Sequence, residues 1–215
     1  MSKTLPCETL LGSIESIVTN YKTTNIMNDK LLTQAMALFD TPEKWEAFCE
    51  LVNQKDRIVE IWCDNVRDSI IGCYNRESIP NKYKFILEKE RGYMLNFYLL
   101  QKRDIIRMQL QLNNFKAIVW INPTILNKKK VLEKHSAIDE IFSTNHFEQS
   151  SHDWEPFCSR FPNDIVVENN WENCVYHWGH NVEEVANKIY NYYIKPMLRE
   201  ESINLMSDII TTCTL

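Results

Sequence analysis

The groups in this chain that could attack a bond or hold a metal are 29 acidic residues, five histidines and seven cysteines, and their spacing limits the chemistry open to them. Metal-dependent nucleases of the restriction and repair types hold a divalent ion on carboxylates and commonly set a lysine two residues after one of them on a strand. No Asp or Glu here has Lys at that position. Glu88 and Glu90 on either side of Lys89, and Asp164 with Glu168, still offer the oxygen ligands that Mg²⁺ favours, but acidic residues at such spacings are commonplace. Cys174, His177 and His180 have the ligand types of zinc, with His146, His152 and Cys158 as completing ligands. Their spacing matches neither C-x-x-C nor H-E-x-x-H, and on a strand Cys174 and His177 would point to opposite faces.

A nucleophilic serine in G-x-S-x-G cannot be written from glycines at 12, 72, 92 and 179, and neither can a phosphate-cradling loop or a dinucleotide fingerprint. Rossmann-type oxidoreductases and P-loop NTPases are thereby excluded. Cys158 with His146 or His152 would make a nucleophile and base only if the fold assembled them in space. No catalytic residue, no metal ligand and no cofactor is expected.

Charge is distributed more tellingly. Residues 1–81 hold 8 basic and 12 acidic side chains, residues 82–134 hold 12 and 4, and residues 135–215 hold 4 and 13, so that a net charge of −5 conceals a strongly positive centre. That centre contains Lys82, Lys84, Lys89, Arg91, Lys102, Arg103, Arg107 and the run Lys128, Lys129, Lys130. These ten residues are the expected binding surface of a non-enzymatic interaction or regulatory protein, for another protein or an acidic partner, with a nucleic-acid-binding protein, or a divergent nuclease holding a metal near Glu88, Glu90 or Asp104, as the alternative. Tyr83, Tyr93, Phe97 and Tyr98 are interleaved with them and could offer stacking faces. The competing expectation is that the cations answer the acidic flanks inside the fold, and a pI near 5.6 favours it over a dedicated nucleic-acid domain. Trp171, Tyr176 and Trp178 suit a partner-binding rim or, with more weight, a core.

The elements that must position these groups follow from periodicity. Residues 1–40 carry two helical stripes, Leu10, Leu11, Ile14, Ile17, Val18 and then Leu31, Leu32, Ala35, Met36, Phe39. Thr41 and Pro42 suit the N-cap and first position of a helix bearing Trp45, Phe48, Cys49 and Val52. A second helix from about Asp56 puts Val59, Trp62, Val66, Ile70 and Cys73 on one face and ends before Ser78-Ile79-Pro80. The period then becomes extended in 83–88, 93–100, 105–112 and 115–122, with breaks too short for crossovers, which predicts an antiparallel meander. Ile106, Met108, Leu110 and Leu112 alternate with Arg107, Gln109 and Gln111, predicting one buried and one wet face.

A basic helix is expected over 125–142, an irregular segment over 143–164, a late hairpin from 165–168 and 174–178, and a last helix capped by Asn181 and interrupted at Pro196. Cys49, Cys63 and Cys73 fall at apolar helical positions and are expected as reduced thiols acting as small hydrophobes. The fold expected is a single α+β domain over 1–215, helical over 1–79, sheet-rich over 80–180 with about four strands, and helical over 181–215. No run has the apolar length of a membrane span and residues 1–16 lack the layout of a secretory signal, so no membrane and a cytoplasmic location are expected.

Overall fold

A computed structural model describes residues 36–91, 93–142, 146–166 and 178–215. The chain divides into two compact units, Met1–Ile58 and Val59–Leu215. In the first, helix α1 (Pro42–Asn53) starts as its sequence requires: the Thr41 hydroxyl accepts from the Lys44 amide at 3.4 Å and Pro42 occupies the opening turn, where a missing N–H costs nothing. Trp45 and Phe48 gather around Phe39, with ring centroids 5.3 and 4.5 Å from it. Cys49 and Val52 stay exposed. The stripes assigned to residues 10–35 lie outside the described residues.

Helix α2 (Lys55–Arg76) carries the chain into the second unit, where Trp62, Cys63, Val66, Ile70, Cys73 and Tyr74 are buried at helical spacing. It stops before Pro80. Lys82 then reaches back so that its ammonium donates to the carbonyls of Asn75 (2.7 Å) and Glu77 (3.2 Å), groups that a helix end leaves without internal donors. The Tyr74 hydroxyl is bonded to the carbonyls of Lys82 and Phe85, which ties α2 to the first strand.

The predicted meander is present as β1 (Phe85–Glu90), β2 (Met94–Leu99), β3 (Ile106–Gln111) and β4 (Lys116–Ile121). Two further short strands, β5 (Glu148–Gln149) and β6 (Phe157–Arg160), extend it to six antiparallel strands in the order β1-β2-β3-β4-β6-β5. The segment expected to be irregular thus supplies a sheet edge, because β4 presents a free row of backbone groups that Phe157–Arg160 satisfies. The basic helix expected over 125–142 is two helices, α3 (Lys128–Leu132) and α4 (His135–Ile141). Glu133 and Lys134 form the break, and the Lys134 ammonium is drawn onto Asp208 at 2.6 Å.

Asn181 caps α5 (Val182–Ile189) through the Glu184 amide, followed by a π-helical turn (Tyr190–Ile194), a 3₁₀ turn at Pro196–Leu198 and α6 (Glu200–Thr212). Pro196 does interrupt the helical run, as its missing N–H requires. Of the late hairpin, Ile165 lies in a turn and most of the rest falls outside the described residues. Trp178 is buried, its indole N–H donating to the Ile165 carbonyl at 2.8 Å.

Register separates the sheet's faces. Phe97 opposes Leu87 and Met108, and Met108 opposes Val119; with Leu95, Leu110, Ala117 and Ile121 they form the apolar face on which the helices pack. The other face carries Glu88, Glu90, Asn96, Arg107, Gln109, Gln111, Ile118 and Trp120. It was expected to be wet, yet Asn96, Gln109 and Gln111 are buried. Their amides satisfy one another: Asn114 donates to Gln111 (3.1 Å), Gln111 to Gln109 (2.9 Å), Gln109 to Asn96 (3.1 Å) and Asn96 to the Glu90 carboxylate. A bonded amide loses much less on leaving water than a bare one, which is why a polar face can be buried.

Candidate interaction surface

Register also defines the sheet's two ends. Phe85, Leu99, Ile106 and Ile121 form one terminal row, and Glu90, Met94, Gln111, Lys116 and Arg160 form the other. Beyond the first row lie the 3₁₀ turn Lys82–Lys84, the β2–β3 turn and the exit of β4 towards α3. Trp154 joins them, since its carbonyl accepts from the Ile121 amide at 2.9 Å. At one strand spacing of about 4.8 Å this end spans roughly 19 Å from β1 to Trp154.

Seven of the ten basic residues, Lys82, Lys84, Lys102, Arg103, Lys128, Lys129 and Lys130, belong to this end, and Arg107 is one residue inside it on the polar face. Lys89 and Arg91 sit at the opposite end. Several are committed within the chain. Lys82 serves α2; Lys89 pairs with Asp68 at 2.6 Å; Arg103 pairs with Glu88 at 2.9 Å and reaches Glu90 at 3.7 Å; Lys128 donates to the Ser151 carbonyl and sits 3.5 Å from Asp153; Lys130 donates to the Thr214 carbonyl. Lys84, Lys102 and Lys129, and Arg91 at the far end, have no ion-pair partner among the described residues.

Arg107 lies with its guanidinium 3.7 Å from the Trp120 ring centroid, on the directly opposed residue of β4. Burial pulls its pKa down from the ordinary arginine value. Trp120 in turn contacts Trp154, centroids 5.3 Å apart. The result is a stack of a cation and two indoles whose outermost ring is 46% exposed. Tyr83 (85%) and Leu100 (51%) are the other large apolar side chains open at this end. Phe97 and Tyr98, on β2, are buried and offer no free stacking face; Tyr83, in the 3₁₀ turn before β1, is exposed, and Tyr93, just before β2, is half-buried.

The chemistry weighed from spacing is placed as follows. Glu88 and Glu90 do share a face, but the Arg103 guanidinium lies against both carboxylates. Asp164 is held by Lys188 (3.0 Å) and by the Tyr192 hydroxyl (3.1 Å), while Asp104 is exposed at the near end. His146 and His135 flank Asp139, His152 and His180 are exposed, and Cys174, His177 and Glu168 lie outside the described residues. Among the described residues no group of three or more His, Cys, Asp or Glu side chains is placed to hold a metal. Cys63 and Cys73 are buried free thiols, and Cys49 is exposed.

Sequence reasoning missed Leu100 and Trp154. Leu100 carried a signal, as an apolar residue running past the end of a strand into Lys102-Arg103-Asp104. Trp154 stands between Asp153 and Glu155, an unusual setting for an indole destined for a core.

No described helix is long and apolar enough to cross a membrane. No family model matches the chain, and comparison with curated proteins and with solved structures returns no match.

Proposed function

We propose that this protein acts by binding rather than by catalysis, engaging an acidic segment of another protein with the cationic and aromatic end of its sheet. The observation that carries this reading is the coincidence at one end of three exposed apolar side chains, Tyr83, Leu100 and Trp154, with three lysines, Lys84, Lys102 and Lys129, that have no ion-pair partner among the described residues. Exposed apolar groups supply area to exclude water, and unpaired ammonium groups supply steering and a penalty against basic competitors. The acids at this end are few: Asp153 is held by Lys128, Glu155 is half-buried and Asp104 is exposed. Nucleic acid is the second reading, favoured by the Arg107, Trp120 and Trp154 stack, on whose outer ring a base could lie.

The test is binding of poly-L-glutamate and of generic single-stranded DNA and RNA at low and moderate salt, compared with the variant Lys84→Glu/Lys102→Glu/Lys129→Glu. Binding of poly-L-glutamate that the variant loses by about tenfold or more supports the first reading. Oligonucleotide binding that is tighter and falls steeply with salt transfers the site to the second. Equal binding by the variant removes the surface from consideration.

A further inference from the structure

On the helical side of the second unit, away from the sheet end, α2 and the junction of α5 with the π-helical turn line an open cleft of about 310 Å³ whose residues are Cys73, Arg76, Glu77, Asn187, Tyr190 and Asn191. That is the small end of the range for small-molecule sites. Tyr190 is 3% exposed, its hydroxyl buried beside the Glu77 carboxylate. Burial, with the Glu77 carboxylate nearby, raises its pKa, so it is a neutral donor at any physiological pH.

The neighbours are set by a short chain of contacts. The Cys73 thiol donates to Asn187 Oδ1 at 2.9 Å, which fixes that amide and leaves its two N–H groups free to point elsewhere. An Arg76 N–H lies 3.5 Å from Cys73 Sγ, a weak contact that holds the guanidinium at the cleft while most of its donors stay uncommitted among the described residues. Glu77 brings the one carboxylate of the lining, loosely offset by the Lys195 ammonium at 3.7 Å. The cleft therefore offers a planar cation and amide donors beside an anion. Arginine binds carboxylates through two parallel N–H bonds, and a carboxylate accepts from ammonium.

We propose that this cleft binds a small zwitterion of the amino-acid class, its carboxylate on Arg76 and Asn187 and its ammonium on Glu77. The site is independent of the surface assigned to the macromolecular partner.

Cys73 gives a reporter inside the site. The full chain is treated with N-ethylmaleimide, alone and with a mixture of the twenty standard amino acids, with acetate, or with methylammonium, and the modified peptides are followed by mass spectrometry. Exposed Cys49 serves as the internal control. The mixture is expected to slow modification of Cys73 about tenfold relative to Cys49, and acetate or methylammonium less than about twofold each, since each fills half the site. Arg76→Gln should lose all of the protection and Glu77→Gln most of it. No slowing by the mixture, or full protection in both variants, overturns the proposal. Should Cys73 prove inert in the free protein, the melting temperature carries the test: a rise of about 3 °C with the mixture that Arg76→Gln abolishes supports the site, and no rise overturns it.

Discussion

The two faces of one sheet are buried by different physics. On the helix-covered face Leu95, Phe97, Met108, Leu110, Val119 and Ile121 are held by area removed from water, a force without direction. On the other, Asn96, Gln109 and Gln111 are buried through bonds that demand particular partners at particular distances. The comparison teaches that burial alone does not say what a side chain contributes: Phe97 stabilises by filling space, whereas Asn96 stabilises only while both its neighbours are present.

Phe97→Ala should produce the largest loss, about 3–5 kcal/mol in a urea titration, because it stacks on Phe85 at 4.7 Å and leaves a cavity that the rigid sheet cannot close. Asn96→Ala should cost about 2 kcal/mol, by stranding the Gln109 donor and one oxygen of Glu90. Replacing Asn96 and Gln109 together by leucine should cost less than the sum of the single losses. An additive double variant would place both faces under the same rule.

Alkaline titration probes the apolar side further. Tyr193 is wholly buried and its hydroxyl donates to the Arg160 carbonyl at 3.1 Å, a bond only the neutral form can make. Burial raises its pKa above the ordinary tyrosine value, so the stability it contributes is intact below pH 10 and is lost as pH climbs towards the folded value. Its share of the loss should approach about 1.4 kcal/mol per pH unit above 10, read as a falling urea midpoint, and Tyr193→Phe should reduce the slope by that share and leave the part carried by Tyr190. The smallest effect belongs to the outer stack. Arg107→Ala and Trp120→Ala should couple by about 0.5–1 kcal/mol in a double-mutant cycle, since the pair is half open to solvent.

What could be read in the sequence was whatever depends on neighbours in the chain. Thr41-Pro42 announces α1 because a cap and a fixed φ act within one turn, and the meander is legible because its turns are short enough to force antiparallel pairing. Strand β6 was hidden since Phe157–Arg160 has no period of its own and exists by pairing with β4, about forty residues earlier. The polar face was misread for a related reason: Gln109 and Gln111 look solvated in isolation, and their partner Asn96 lies on the adjacent strand. The charged centre was legible as a count, but not the division of labour within it, because Asp68, Asp153 and Thr214, which engage Lys89, Lys128 and Lys130, are fixed by tertiary structure. The Cys73 cleft was out of reach altogether, its thiol and amide standing 114 residues apart.

The chain of amides from Asn114 to Glu90 has one more consequence, for which alignment of the strands is admissible. Sliding β3 along β2 by two residues would return every apolar side chain to the same face, and oil-like contacts would tolerate the change. The amides would not, because Gln109 would no longer meet Asn96 and a buried donor would be stranded. Four amides and one carboxylate thereby act as a vernier on the sheet, rejecting the shifted alignments that its greasy side would accept.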